Sequence, residues 1–367
     1  MGERDRAVED MDMRPFWNGR RVFLTGHTGF KGGWLALWLQ HLGAHVHGYS
    51  LAPNTQPALF HVARVGEGMH STIADIGDRQ HLEQCMASFE PEVVFHLAAQ
   101  PIVRASYEDP VGTYATNVMG TAHLLDAVRR VTSVRAVVVV TSDKCYENRE
   151  WDRGYVETDP LGGFDPYSSS KGCAELVAAA YRNSYFPPTR YAQHGVGLAS
   201  ARAGNVIGGG DWSRDRLVPD ILRSIEAGQS VRIRNPLATR PWQHVLEPLS
   251  GYLMLAERLI TNGPEFSEGW NFGPVKQDAR PVQWVVERLI SQWGAGASWQ
   301  KDGAEHPHEA RFLKLDISKS AERLHWKPRW PLELCLQRIV EWHRAAAGGF
   351  DMRATTIEQI KEFAACP

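Results

Sequence analysis

Thr141-Ser142-Asp143-Lys144-Cys145-Tyr146 sets a hydroxyl, a carboxylic acid and an amine side by side, directly after the apolar run that ends at Val140. Downstream lies Tyr167-Ser168-Ser169-Ser170-Lys171, the only Y-x-x-x-K in the chain. On a helix, side chains four apart share one face. A lysine so placed lowers the phenol pKa, and the tyrosine then takes an alcohol proton as hydride leaves. Ser142, Tyr167 and Lys171 suffice for that oxidation. Asp143 is additional, and its chemistry suits protonation of a leaving hydroxyl. Ser142, Asp143, Lys144, Tyr167 and Lys171 are therefore expected to form a catalytic group for redox chemistry coupled to loss of water. Asp143 has to be protonated at work, so burial or a neighbouring charge is expected to raise its pKa.

The elements that hold these residues alternate. Short apolar runs at residues 22–24, 46–49, 93–97, 137–141 and 196–201 are separated by amphipathic stretches. This is the rhythm of an α/β fold, a doubly wound parallel sheet with helices on both faces. After about residue 205 the rhythm breaks into a Gly-rich turn and Pro-marked loops, which predicts a smaller C-terminal α/β lobe that binds substrate. The expected division is a dinucleotide-binding domain over 15–204, a lobe over 205–350 with short returns to the sheet, and a terminal helix over 351–367.

After the first run comes Thr25-Gly26-His27-Thr28-Gly29-Phe30-Lys31-Gly32-Gly33. Gly26, Gly29 and Gly32 have G-x-x-G-x-x-G spacing, which supplies a tight turn and bare backbone N–H groups at a helix N-terminus for a pyrophosphate. His27 and Lys31 are expected to add positive charge. The end of the second strand, His47-Gly48-Tyr49-Ser50-Leu51, has no acid for a ribose 2′-hydroxyl and no Arg for a 2′-phosphate, a pattern that favours NAD over NADP. Asp75, with Ile76, is expected to end the third strand and offer a carboxylate to the adenine amine. Trp34 and Trp38, at helical spacing, are expected in the core.

Composition removes several classes. With 40 Lys+Arg against 42 Asp+Glu, there is no general charge for nucleic acid or a membrane surface. Five scattered cysteines without C-x-x-C spacing suggest neither disulfides nor a metal site, and fit a reducing cytoplasm. The charged N-terminus is unlike a signal peptide. Residues 32–63 contain no Asp, Glu, Lys or Arg. Polar residues and a proline interrupt that stretch, so it reads as buried helix, strand and loop rather than a membrane span.

With these motifs the chain resembles the extended short-chain dehydrogenase/reductase family, whose fold is Rossmann-type, and within it the nucleotide-sugar 4,6-dehydratases. The resemblance covers roughly residues 15–345. It rests on the glycine turn, on Ser142-Asp143-Lys144-Cys145-Tyr146-Glu147-Asn148, on His96-Leu97-Ala98-Ala99-Gln100, on Asn117-Val118-Met119-Gly120-Thr121 and on Arg202-Ala203-Gly204-Asn205-Val206. It implies NAD as cofactor, held by Gly26, Thr28, Gly29, Phe30, Lys31, Gly32, Asp75, Ile76, Leu97, Ala98, Ala99, Gln100, Asn117, Tyr167 and Lys171. It implies a CDP-linked glucose as substrate, a 4-keto-6-deoxy sugar nucleotide as product for surface polysaccharide, and a homodimer or homotetramer. Members acting on dTDP-glucose carry Asp-Glu where this chain has Asp143-Lys144. Lys144 is then either a neutral base for the C5 proton or a charge that stabilises the enolate.

A sugar-nucleotide pyrophosphate calls for Arg in bidentate reach. Arg240 and Arg311 match positions where family members contact phosphate, Asn205 matches an amide contact, and Arg214 is a further candidate. The rival readings are a dehydratase for another nucleotide, a 4-epimerase, which has no need of Asp143, and a non-catalytic NAD(P)-binding sensor.

Overall fold

The structure, a computed structural model, describes residues 13–294, 298–302 and 313–366. Seven strands form one parallel sheet: β1 (Arg21–Thr25), β2 (His45–Ser50), β3 (His70–Ile73), β4 (Val93–His96), β5 (Ala136–Val140), β6 (Gly197–Arg202) and β7 (Gly269–Asn271). Their spatial order is 3-2-1-4-5-6-7. The order reverses between β1 and β4, where the C-terminal strand ends open the crevice that doubly wound sheets use for ligands. The inner strands are apolar throughout because both faces are covered. Leu24, Phe95, Val138 and Ala201 point into one core, and Phe23, Val94, Val137 and Leu198 into another.

The longer helices are α1 (Phe30–His41), α2 (Arg79–Phe89), α3 (Gly120–Val128), α4 (Pro166–Ser184), α5 (Leu217–Glu226), α6 (Leu246–Thr261), α7 (Val282–Trp293), α8 (Leu332–Ala347) and α9 (Met352–Ala364). Residues of α1, α6, α8 and α9 join the first core, and residues of α2, α3 and α4 the second. β3 escaped the apolar-run reading because it is an edge strand of sequence His-Ser-Thr-Ile, largely exposed. It ends at Ile73, so Asp75 lies in the loop beyond it.

Beyond residue 204 the chain builds α5 and α7 with three short strand pairs, and returns to the main sheet as β7. This second layer is tied to the first at the glycine turn, where Trp34 of α1 donates its indole N–H to Gly209 O at 2.9 Å. No helix among the described residues is long and apolar enough to cross a membrane.

Trp34 and Trp38 are both buried, as helical spacing predicted. The ring of Trp38 meets Phe363 of α9 edge-on at 5.8 Å. Replacing Trp38 by Ala is expected to cost about 3–5 kcal/mol, read as a lowered denaturant midpoint, with α9 losing amide protection in hydrogen exchange.

Candidate active site

The glycine turn is shaped by crowding. Gly26 has φ +80°, and a Cβ on it would lie 2.8 Å from Ala98 N; a Cβ on Gly32 would lie 2.0 Å from Gly26 O. The N-cap of α1 is Gly29, with no side chain capping the first turn and no acid within it. Free N–H groups and bare backbone therefore face the crevice, and the cradle fits a dinucleotide pyrophosphate. Thr28 braces the turn through Ser50 Oγ and Leu51 O, both at 2.8 Å. Phe30 packs against Gly208, where a Cβ would meet its ring at 2.9 Å.

The charges differ from the sequence expectation. His27 is fully buried, and burial with His47 nearby pushes its pKa down to about 4, so it is neutral near pH 7. Burial, then Arg216 and Lys171, lower Lys31 to about 7, with Asp143 opposing. Only Lys31 brings charge to the turn, and only in part.

His96, at the end of β4, bridges Thr25 Oγ1 at 2.8 Å and Thr121 Oγ1 at 3.1 Å. Burial lowers its pKa to about 3, so the ring is a neutral strut. Thr25 in turn accepts from Leu97 N and Ala98 N, each at 3.1 Å, which fixes the backbone running on to Ala99 and Gln100. Asn117 sits in a π-helical turn, Ala115–Met119. Its amide is spent on Gln100 N (2.8 Å), Gln100 O (3.1 Å) and Ser170 Oγ (2.8 Å). It thereby ties the β4 loop to α4. Ile76 is buried against Gly120, and Asp75 is exposed, accepting Gly77 N at 2.7 Å.

Asp165 caps α4 by accepting Ser168 N at 2.9 Å, and Pro166 occupies the first helical position, where no N–H is needed. That start turns Tyr167 and Lys171 toward the end of β5. The Tyr167 phenol hydrogen-bonds Ser142; its pKa is raised to about 12, the opposite of the lowering expected from a lysine four residues on, because burial outweighs every other influence on it. Lys171, also buried, approaches Val140 O at 3.5 Å; burial brings it down to about 8, with Cys145 and Glu175 opposing. Ser142 Oγ donates to Asp143 Oδ1 at 2.9 Å. The phenol, the hydroxyl and the carboxyl thus form one continuous chain.

Asp143 is 2% exposed. It faces Gly204 so closely that a Cβ there would lie 1.9 Å from Oδ2, and Asn205 Nδ2 reaches that oxygen at 3.4 Å. Asn205 holds φ +49°, a left-handed conformation that Asn tolerates.

Lys31, Ser142, Asp143, Lys144, Tyr167, Asn205 and Arg240 all line one cleft of about 390 Å³ between the sheet and the second layer. Of these seven, Lys144 is the exposed one. Arg214 is exposed and does not line it; Arg216, two residues on, does, as do Arg104, Arg232 and Arg234. Nothing in the sequence separates Arg214 from Arg216, because the loop between them turns at Asp215, φ +60°. Arg311 lies outside the described residues.

The model of the GDP-mannose 4,6-dehydratase family matches residues 23–339. The CDP-glucose 4,6-dehydratase of Salmonella typhimurium is 60% identical over 348 residues, 95% of this chain and 97% of that protein. The UDP-glucose 4-epimerase of Mycolicibacterium smegmatis is 33% identical over 88% of this chain and 98% of its own. Among solved structures, dTDP-glucose 4,6-dehydratase of Bacillus anthracis, in complex with NAD, superposes with a TM-score of 0.72 at 21% identity, covering 90% of this chain and 99% of that one.

Gly32→Ala tests the cradle. The 2.0 Å approach to Gly26 O forces the turn apart, so NAD titrated against protein fluorescence should bind at least about tenfold more weakly, roughly 1.4 kcal/mol, while circular dichroism stays that of a folded protein.

Proposed function

This chain belongs to the GDP-mannose 4,6-dehydratase family, and we propose that it is a CDP-D-glucose 4,6-dehydratase, an NAD-dependent hydro-lyase that converts CDP-glucose to CDP-4-keto-6-deoxy-D-glucose and water. The observation that carries the reading is a buried acid, Asp143, hydrogen-bonded to the hydroxyl that also binds the Tyr167 phenol. An alcohol oxidation alone has no use for that acid. Identity of 60% to the Salmonella CDP-glucose enzyme over nearly the whole chain supports the nucleotide and the sugar.

Bound NAD supplies the hydride acceptor that makes C4 a ketone and the hydride that finally reaches C6. Gly26, Gly29 and Gly32 hold its pyrophosphate, with Thr28, Phe30 and Lys31 shaping the turn. Leu97, Ala98, Ala99 and Gln100 form the backbone beside it, Asn117 fixes that backbone, and Asp75 with Ile76 takes the adenine end. Tyr167 accepts the C4 hydroxyl proton, Ser142 shares that hydrogen bond, and the Lys171 ammonium stabilises the phenolate. The ketone acidifies C5. The C5 proton passes to water in the cleft, and Lys144, an exposed residue of the cleft wall, supplies the positive charge that stabilises the enolate. Asp143 then gives its proton to the C6 hydroxyl, which leaves as water.

The diphosphate of the substrate falls to Arg240 and Arg216, both in the cleft wall, with Asn205 beside Asp143. Arg311 remains a phosphate candidate from its sequence position, and Arg214 gives way to Arg216.

Val111, Met119 and Leu176 expose apolar surface on helices that pack against one another, and Phe164 and Tyr185 expose more just outside the two ends of α4, 77% for Val111 and 85% for Phe164. This face is the proposed contact of a homodimer, with a tetramer as a further assembly. All five cysteines are free, in keeping with a cytoplasmic enzyme of deoxysugar synthesis for surface polysaccharide.

Purified protein incubated with NAD and, separately, CDP-, dTDP-, UDP- or GDP-glucose should lose one water from the CDP compound alone. Unchanged mass but altered C4 configuration would make the chain an epimerase. Asp143→Asn should keep C4 oxidation, seen as persistent NADH absorbance, while water loss slows by about 10²–10⁴; undiminished dehydration would remove Asp143 from the mechanism. Tyr167→Phe should abolish single-turnover NADH formation. Because Lys171 has a pKa of about 8 and acts as the ammonium, C4 oxidation in the wild type should decline as pH rises through that value.

A further inference from the structure

We propose that Glu175 and Arg202, which lie outside the cleft, are positioning residues: their buried ion pair sets the register between the turn that carries the acid and the helix that carries Tyr167 and Lys171. The inference rests on the dehydratase reading above.

Tyr167, Lys171 and Glu175 follow one another at four-residue steps along α4, on one face. Glu175 is buried and accepts four hydrogen bonds, from Thr141 Oγ1 (2.5 Å), Ser200 Oγ (2.6 Å), Arg202 Nη2 (2.8 Å) and Arg202 Nε (3.0 Å). Arg202 Nη1 donates to Tyr146 Oη at 2.7 Å and to Glu157 O at 3.0 Å. Tyr146 Oη in turn donates to Asn271 Oδ1 of β7 at 2.7 Å. Burial alone would raise the Glu175 pKa, but the Arg202 guanidinium and the hydroxyl donors outweigh it and hold the carboxyl below its ordinary range. The group is an anion whose acceptor sites are filled.

Thr141 and Tyr146 bracket the catalytic turn. Thr141 immediately precedes Ser142, and Tyr146 immediately follows the 3₁₀ turn Asp143–Cys145. Both ends of the segment bearing Ser142, Asp143 and Lys144 are thus fastened to one ion pair, whose carboxylate stands one helical turn beyond Lys171. Two of the pair's three hydroxyl contacts go to those residues, and the third, Ser200, belongs to β6. The carboxylate also acts on Lys171 through space. The ionisable groups around that ammonium are Lys31 from the first turn of α1, His96 from β4, Cys145 from the catalytic turn, and the Tyr167 phenol and Glu175 on its own helix. Among these Glu175 is the anion that opposes loss of the Lys171 proton.

The register matters because two steps use it differently. C4 oxidation needs Tyr167, Lys171 and Ser142. Dehydration also needs Asp143 aligned with C6 while Tyr167 still holds C4. A misplacement of about 1 Å costs on the order of 10²-fold in a positioned reaction.

The test uses the full-length enzyme with NAD and CDP-glucose, following NADH appearance for C4 oxidation and product mass for water loss. Thr141→Val and Tyr146→Phe leave the ion pair intact and cut its links to the turn. Each should slow water loss by about tenfold or more relative to C4 oxidation, with KM for CDP-glucose unchanged. Glu175→Gln should show the same partition and, in addition, move the alkaline limb of C4 oxidation to lower pH. Glu175→Asp should restore the limb, since the charge returns, without restoring the partition. A variant set in which both steps and thermal stability fall together, with partition and pH limb unmoved, would overturn the inference and leave an ordinary structural ion pair. Should Glu175→Gln fail to fold, the two hydroxyl deletions decide the matter. A wild type that releases no water overturns the functional reading and this inference with it, whereas an active wild type with unchanged partition in the variants overturns the inference alone.

Discussion

One carboxylate, Glu175, receives four hydrogen bonds beneath the catalytic turn, and neither half of the site is placed independently of it. Strands β5 and β6 and helix α4 meet at this point through polar groups, in a region otherwise filled by Val and Ala. A buried ion pair gains little over well-packed apolar residues, because desolvation of both charges offsets their attraction, yet removal of one partner costs about 3–5 kcal/mol. Such a pair specifies geometry more than it stabilises. Apolar packing between β5 and α4 tolerates small slips, whereas the four donors of Glu175 accept only one arrangement.

The same low-dielectric environment sets the charge state of the site. Burial works against the ammonium of Lys171 and the anion of Tyr167 alike. Lys31 is repelled by Arg216 and by Lys171 across the crevice. An anionic ligand relieves the positive excess. On the proposed reading, a substrate diphosphate against the cleft wall and the NAD pyrophosphate against α1 are such anions, and their binding would be coupled electrostatically to the charge state of the site. The neutral histidines take no part in that balance. His96 is a strut between Thr25 and Thr121, whereas His27 makes a single hydrogen bond, to Ser71.

Much of this architecture is legible in the sequence. The apolar runs at 22–24, 46–49, 93–97, 137–141 and 196–201 all became strands, because central parallel strands have no solvent face to encode. Helical spacing placed Trp34 and Trp38 inside, and the structure gathers Ser142, Asp143, Lys144 and Tyr167 on one cleft with Lys171 beneath. What sequence reasoning missed has specific physical causes. Strand β3 is polar because it is an edge. Arg216 was passed over for Arg214 because a left-handed residue between them decides which faces inward. The charge expected of His27 is absent because burial cannot be read from a glycine turn. Glu175 and Arg202 went unnoticed because their pairing joins a helix to a strand 27 positions away, and a lone Glu on a helix ordinarily reads as solvated. Arg202 and Tyr146 stood inside motifs quoted for their chemistry, though both serve here to hold the motif in place.

The room made for Asp143 is the last element of the argument. An acid beside the phenol's serine partner requires that the neighbouring strand end recede, and here it does so by having no side chain. A Cβ at 204 would overlap the carboxyl at 1.9–2.2 Å, and Asn205 then takes the left-handed backbone that carries the chain away while its amide turns back to Asp143. The acid, the glycine and the left-handed residue form one steric unit. Introducing an aspartate alone into the corresponding turn of a related fold that carries a side chain opposite it would place the carboxyl against that Cβ and expel it from the cleft. Dehydration chemistry on this scaffold therefore depends as much on what is missing at 204 as on what is present at 143.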